Sequence, residues 1–291
     1  MIGAVAFLEL VSVLQAFPDG PIASVEWLDG VLATHWVDYT PRSSSTTWVR
    51  AWSVGSVLGN ETLVQARPVV RDANARFLED LLRTPAPCTI GVFVAGTVRP
   101  GADPPSIPPG GLGRFPRFIG IRSESCLFEE HDASAEKTLR ERLRAALPTF
   151  LSRSMVGATD RELVFYSFLA ALHERGGLGQ TYAQPEQIRA ALRALDDRLG
   201  QPRHLNMMVS DGRTFAMIHR GGTLVAMVPP TADGGRRRRL TTQGVPIPVE
   251  TRSILFFEPN SDAPSSPDAE RVSEGVFSVD IHTPRQLVRD G

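Results

Sequence analysis

The chain has 291 residues, a formal net charge of −1, and 42% hydrophobic against 22% charged residues. That balance excludes a disordered chain, which lacks the apolar content to build a core. Near-neutral charge gives no electrostatic reason to expect a nucleic-acid or membrane partner. The two cysteines, Cys88 and Cys126, are too few for a disulfide scaffold or a metal cluster. A reducing, cytoplasmic setting is therefore expected.

The apolar opening MIGAVAFLELVSVLQAF has no basic residue before Arg42 and is interrupted by Glu9. It fits neither a signal peptide nor a membrane span. Residues 1–8 read as a buried strand, followed by a helical turn over FLELVSVLQAF. Residues 22–58, rich in Val and Trp, read as several short strands broken by Thr40 to Thr47. The apolar spacing of 72–83 predicts a helix, and CTIGVFVAGTV, 88–98, a strand. RPGADPPSIPPGGLGRFP follows as a loop, because its Pro and Gly content suits no packed helix or central strand.

Residues 115–131 resume as strand and 134–147 as an amphipathic helix. The segment 159–177 has the clearest helix signals, a T-x-x-E capping box at Thr159 and Glu162 and a stop at Gly176. Pro185 and Gly200 bracket a third helix. HLNMMVSDGRTFAMIHR, 204–220, reads as a hairpin turning at Asp211-Gly212. Strands are expected at 223–228, 252–259 and 275–282. The order is strands, helix, strands, consecutive helices, then strands, which predicts an α+β layered fold. No linker or repeat divides the chain, so residues 1–291 are expected to form one domain.

Three segments carry a resemblance. GATDRELVFYSFLAAL, 157–172, LNMMVSDGRTFAMIHRGG, 205–222, and ILFFEPNSD, 254–262, followed by EGVFSVDIH, are similar in order and spacing to motifs of the class II glutamine amidotransferases. These are a branch of the N-terminal nucleophile hydrolases. The stand-alone proteins of ergothioneine biosynthesis are the type most resembled. The resemblance implies a four-layer αββα sandwich of two antiparallel sheets between helices. No cofactor is expected.

It also implies a chemistry that can be checked residue by residue. The family uses an N-terminal Cys, exposed by Met removal, as nucleophile and its own α-amine as base. Position 2 here is Ile2, bulky enough for the initiator Met to be retained, and the first nucleophile-capable side chain is Ser12. The family's H-x-R strand grips the glutamine carboxylate through its Arg. In the matching strand Gly91 and Phe93 replace the His and Arg. The family's H-N-G strand supplies an oxyanion hole, whereas FIGIRSES has no Asn. Asp160 alone matches, at the position that receives the substrate ammonium. An acid in a first helical turn is also favoured by the helix dipole alone. These replacements imply a protein without the family's glutaminase activity, acting as a subunit of a partner enzyme or as a binder of an amino-acid-like ligand.

An alternative is an active amide hydrolase of the same fold with a relocated nucleophile, Cys88 or Cys126. Cys88 opens a strand, so cleavage before it would expose a thiol and an amine together; otherwise it is a buried packing residue. Cys126 and His131 are five apart and would face opposite sides of a strand. His204 and His219 are expected to face one another across the hairpin, but no third ligand is evident, so no metal site is expected. Arg236 to Arg239 read as a solvated loop tip without the aromatic residues of a single-strand binder. The Gly-rich stretch at 110–113 lacks the Lys of a phosphate loop.

Overall fold

The structure, a computed structural model, describes residues 2–9, 25–35, 49–58, 61–67, 88–95, 112–122, 133–157, 159–202, 204–227, 253–257, 269–281 and 287–290. In the first half lie β1 (Ile2–Glu9), α1 (Val25–His35), β2 (Val49–Leu58), β3 (Glu61–Arg67), β4 (Cys88–Ala95), β5 (Gly113–Phe115), β6 (Phe118–Arg122) and α2 (Ala133–Ala145). The second half supplies α3 (Thr149–Ser154), α4 (Asp160–Glu174), α5 (Pro185–Leu199), β7 (Leu205–Ser210), β8 (Thr214–Arg220), β9 (Val225–Met227), β10 (Ser253–Phe257), β11 (Glu270–Arg271), β12 (Gly275–Asp280) and β13 (Leu287–Asp290).

The strands form two antiparallel sheets. One has seven strands in the order β11-β9-β10-β1-β4-β2-β3, the other six in the order β13-β12-β8-β7-β6-β5. β1 lies inside the larger sheet, paired with β4 from Ile2↔Val94 to Leu8↔Cys88 and with β10 from Val5↔Phe257 to Glu9↔Ser253.

Strand alternation sorts the core into two clusters. Leu205, Met207 and Val209 of β7, with Ala216 and Ile218 of β8, join the residues of α2 to α5. Met208, Phe215 and Met217, one residue out of step, join Val57, Cys88, Ile90 and Phe256 of the other sheet. Each face of the six-stranded sheet is therefore buried, one under helices and one against the second sheet. The rings of Phe215 and Phe256 stack across that gap with centroids 5.2 Å apart. Three layers thus pack together among the described residues.

α4 is the central helix, buried from Glu162 through Leu172. Thr159 caps it, its hydroxyl accepting from the Glu162 N–H at 3.2 Å. The Glu162 carboxylate does not reach back to the cap. It is buried and accepts from the N–H groups of Val156 and Gly157, at 2.6 and 2.7 Å. α5 starts on Pro185 and ends at Gly200 in the left-handed region, with φ of 78°. Arg189 Nη1 donates to Ser278 Oγ at 2.6 Å, and Arg220 clasps Asp196 through two bonds, so α5 is fixed to β12 and β8.

The hydrophobic period and caps located α2, α4, α5 and most strands. Residues 25–35 form a helix, not the expected strand: Leu28 and Val31, three apart, are both buried, and that helical spacing overrides the β-branched composition. Residues 115–131 do not run as one strand, because β5 and β6 turn back at Pro116 and Arg117, where Arg117 takes φ of 68°. The expected turn after β1, the helix at 72–83 and most of the Pro-rich loop lie outside the described residues. No described helix is long and apolar enough to cross a membrane.

Candidate functional site

The hairpin of β7 and β8 organises one end of the gap between the sheets. Ser210 pairs with Phe215, so the central turn residues are Gly212 and Arg213 rather than Asp211 and Gly212. Gly212 takes φ of 84°, which a glycine supplies without steric cost. Asp211 braces the turn. Its carboxylate accepts from the N–H groups of Thr214 (2.7 Å), Arg213 (3.0 Å) and Ala183 (3.2 Å). Burial raises its pKa, and these backbone donors act in the opposite sense.

Moving the turn centre by one residue changes every cross-strand partner. His219 faces Asn206, not His204, which would stand beyond the strand opposite Gly221. The expected imidazole pair is therefore not formed. His219 Nδ1 lies 2.5 Å from Asn206 Oδ1, and both residues are buried. A carbonyl oxygen only accepts, so Nδ1 carries the proton in this arrangement and Nε2 keeps its lone pair. Burial pushes the His219 pKa down to about 4, against the opposing charge of Glu274. The ring is neutral at pH 7 and presents an acceptor.

The position of this pair follows from alternation. Asn206 and His219 are in step with Met208 and Met217, on the face toward the seven-stranded sheet. The hairpin tip lies at the Cys88 end of the gap, where Ser210 hydrogen-bonds the Cys88 thiol. Asn206 and His219 stand at the opposite end of their strands. On β1, Ile2 is likewise at the end away from Leu8, the partner of Cys88. The pair and the start of β1 thus share one end of the sandwich, where the resemblance implies a site.

The other predicted residues are placed separately. β1 reads IGAVAFLE and carries no thiol or hydroxyl. Gly91 pairs with Val5, and Phe93 with Gly3. Asp160 opens α4, where Arg140 of α2 engages both its oxygens. Its carboxylate is occupied by a guanidinium, where the resemblance implies a substrate ammonium. Cys88 is fully buried, and desolvation pushes its thiol up to about 12, with the Ser210 bond opposing and the Asp211 charge adding. A thiol so placed is protonated at neutral pH and shielded from substrate. Among the described residues no three His, Cys, Asp or Glu side chains group to hold a metal ion. Cys126, His131 and Arg236 to Arg239 lie outside the described residues.

Sequence reasoning passed over Asn206, although it is a polar residue inside the apolar run LNMMV. A turn centred on Gly212-Arg213 would have set it opposite His219. Arg140 gave no such signal: its partner is twenty residues away, on another helix.

No protein-family model matches the sequence, and no curated protein matches it. Solved structures do. A glutamine aminotransferase class-II domain protein from Silicibacter pomeroyi matches over 99% of this chain and 98% of its own, with a TM-score of 0.50 and 9% identity. The glutamine phosphoribosylpyrophosphate amidotransferase of B. subtilis matches 99% of this chain but 48% of its own, with a TM-score of 0.46 and 8% identity. A predicted glutamine amidotransferase from Pseudomonas aeruginosa gives a TM-score of 0.36 at 11% identity. At such identities the likeness is one of fold, and the first match carries it end to end: two antiparallel sheets with helices, arranged as in a class II glutamine amidotransferase domain.

Proposed function

We propose that this chain is a divergent class II glutamine amidotransferase-like protein that does not hydrolyse glutamine by the N-terminal cysteine mechanism. Its role is instead that of a subunit of a partner enzyme or a binder of an amino-acid-like ligand. One observation carries the reading. β1, the strand that presents the nucleophile in the resembled family, sits inside the larger sheet and offers only Ile, Gly, Ala, Val, Phe, Leu and Glu. A hydrolase of this type needs a thiol or hydroxyl beside an amine, and no side chain of β1 provides one. Gly91 and Phe93, on the neighbouring strand, would not replace the Arg that grips a carboxylate.

The same reading includes a single domain over 1–291 and the αββα sandwich. Pairing of β1 with β10 supports it, since strands from opposite ends of the chain adjoin in one sheet. α1, with Leu28 and Val31 buried, is the candidate for the fourth layer.

The test is glutamate release from L-glutamine by the purified full chain, with its intact mass recorded in parallel. The expected outcome is no release above the buffer blank. Release that disappears in Asp160→Ala would overturn the proposal.

A further inference from the structure

A cleft of about 460 Å³ opens at the corner where the edge strands β3 and β5 converge. Glu61 and Thr62 line it from the start of β3, Arg114 and Phe115 from β5, Val156 from the segment after α3, and Tyr166 from α4. Thr62 Oγ1 donates to the Phe115 carbonyl at 2.8 Å and so ties the two sheets together at the cleft. Tyr166 is held by its hydroxyl, which lies 2.8 Å from the carbonyl of Ser154 and 3.1 Å from that of Arg114. Its ring stands edge-on to Phe115, with centroids 6.2 Å apart. The apolar part of the cleft is therefore fixed in place by hydrogen bonds.

This is not the end of the sandwich at which β1 begins. Glu61 pairs with Leu58, at the far end of β2 from Ala51, whose partner Val94 pairs with Ile2. Seven residues of β2 separate the two ends, roughly 20 Å at the rise of a strand.

The charges at the cleft have a specific pattern. Glu61 and Arg114 are both exposed, and among the described residues no hydrogen bond or ion pair engages either side chain. Both line one cavity without pairing with each other, so it presents a separated negative and positive charge. The rest of the lining is Thr62, Phe115, Pro116, Ser154, Val156 and Tyr166, more apolar than polar. Small-molecule sites have this character, with a few hundred cubic ångströms, mostly apolar walls and a few convergent polar groups. A guanidinium matches a carboxylate as a two-pronged donor, and a carboxylate matches an ammonium. A ligand with one charge would leave the other lining group unmatched.

We propose that this cleft binds a small zwitterion with an apolar side chain, of amino-acid or dipeptide size. Its carboxylate meets Arg114, its ammonium meets Glu61, and its side chain lies against Phe115, Tyr166 and Val156. This site is additional to the reading above, and its test does not depend on the fate of glutamine.

The test is titration calorimetry on the full chain with L-phenylalanine and L-leucyl-L-phenylalanine, and with phenethylamine and 3-phenylpropanoate as singly charged controls. At least one zwitterion is expected to saturate a single site about tenfold more tightly than either control. Which zwitterion does so reports the size of ligand accepted. Arg114→Gln and Glu61→Gln should each weaken that binding by about tenfold. Their thermal unfolding should be unchanged, because both side chains are exposed. Absence of binding by both zwitterions at about millimolar concentration would overturn the proposal. So would controls that bind equally well, or affinity that persists in both variants.

Discussion

Arg140 grips Asp160 with two parallel bonds, Nε to Oδ1 and Nη2 to Oδ2, each 2.6 Å long. The fork ties α2 to the first turn of α4, where a carboxylate is also favoured by the helix dipole. Both side chains remain partly exposed, so solvent screens the pair and its contribution to stability is about 0.2–1 kcal/mol. The relationship matters more for binding, because it fills the carboxylate that the resemblance assigns to a substrate ammonium.

Asp160→Ala is expected to cost about 1 kcal/mol in urea unfolding, from the lost pair and the lost interaction with the helix terminus. Arg140→Gln should cost less, since Asp160 stays at the favourable end of the helix. If Asp160 holds an ammonium group, Arg140→Gln frees it and L-glutamine binds more tightly than to the parent chain. Calorimetric titration of the parent and both variants with L-glutamine checks this. Equal affinity for all three would leave Asp160 a structural residue.

His219 should make stability depend on pH. Its folded pKa is pushed down to about 4 from the ordinary 6.5. The unfolded chain therefore binds a proton that the folded chain refuses between those values. Its effect on stability is nil above about pH 6.5 and grows more unfavourable as pH falls to about 4, where it levels off. The loss is on the order of 3 kcal/mol at most. In His219→Gln this slope should flatten, while Asp211 and the other acids titrate alike in both proteins. Denaturant unfolding at steps from pH 7.5 to 4 measures the difference; parallel curves would show that burial does not keep His219 neutral.

The strong local signals were legible because they depend on few residues. Thr159 and Gly176 mark α4, and Pro185 and Gly200 mark α5, through backbone chemistry that acts within a turn. The hairpin at Gly212 was also visible, but its register was not. Asp211 is held outside the central turn pair by a bond from Ala183, twenty-eight residues away, and a one-residue shift there re-pairs His219. α1 was hidden because Val and Trp suit strands, and only burial of Leu28 and Val31 identifies the helical face. The cleft of Glu61 and Arg114 had no sequence signal, since β3 and β5 meet only when the two sheets pack.

Cys88 should be unreactive in the folded chain. Its thiol is fully buried and pushed up to about 12, so almost none is thiolate at pH 8. Treatment with iodoacetamide at pH 8, followed by peptide mapping, should leave Cys88 unlabelled in native protein and label it fully in urea. Rapid native labelling would revive its candidacy as a relocated nucleophile.

Gly113 and Gly120 face one another in the β5–β6 hairpin and together seat the ring of Phe165. A Cβ on Gly113 would lie 2.4 Å from Phe165 Cγ, and one on Gly120 2.8 Å from Cδ2. Phe165 is buried in the cluster between α4 and the sheet, so the ring has little room to retreat. Gly120→Ala should therefore cost about 1–3 kcal/mol by overpacking. Phe165→Leu alone leaves a cavity and should also destabilise. In the double variant the new methyl occupies part of the vacated space, so the combined loss should be smaller than the sum. A double-mutant cycle by urea unfolding measures that coupling, and strict additivity would show that something other than Phe165 requires the glycine.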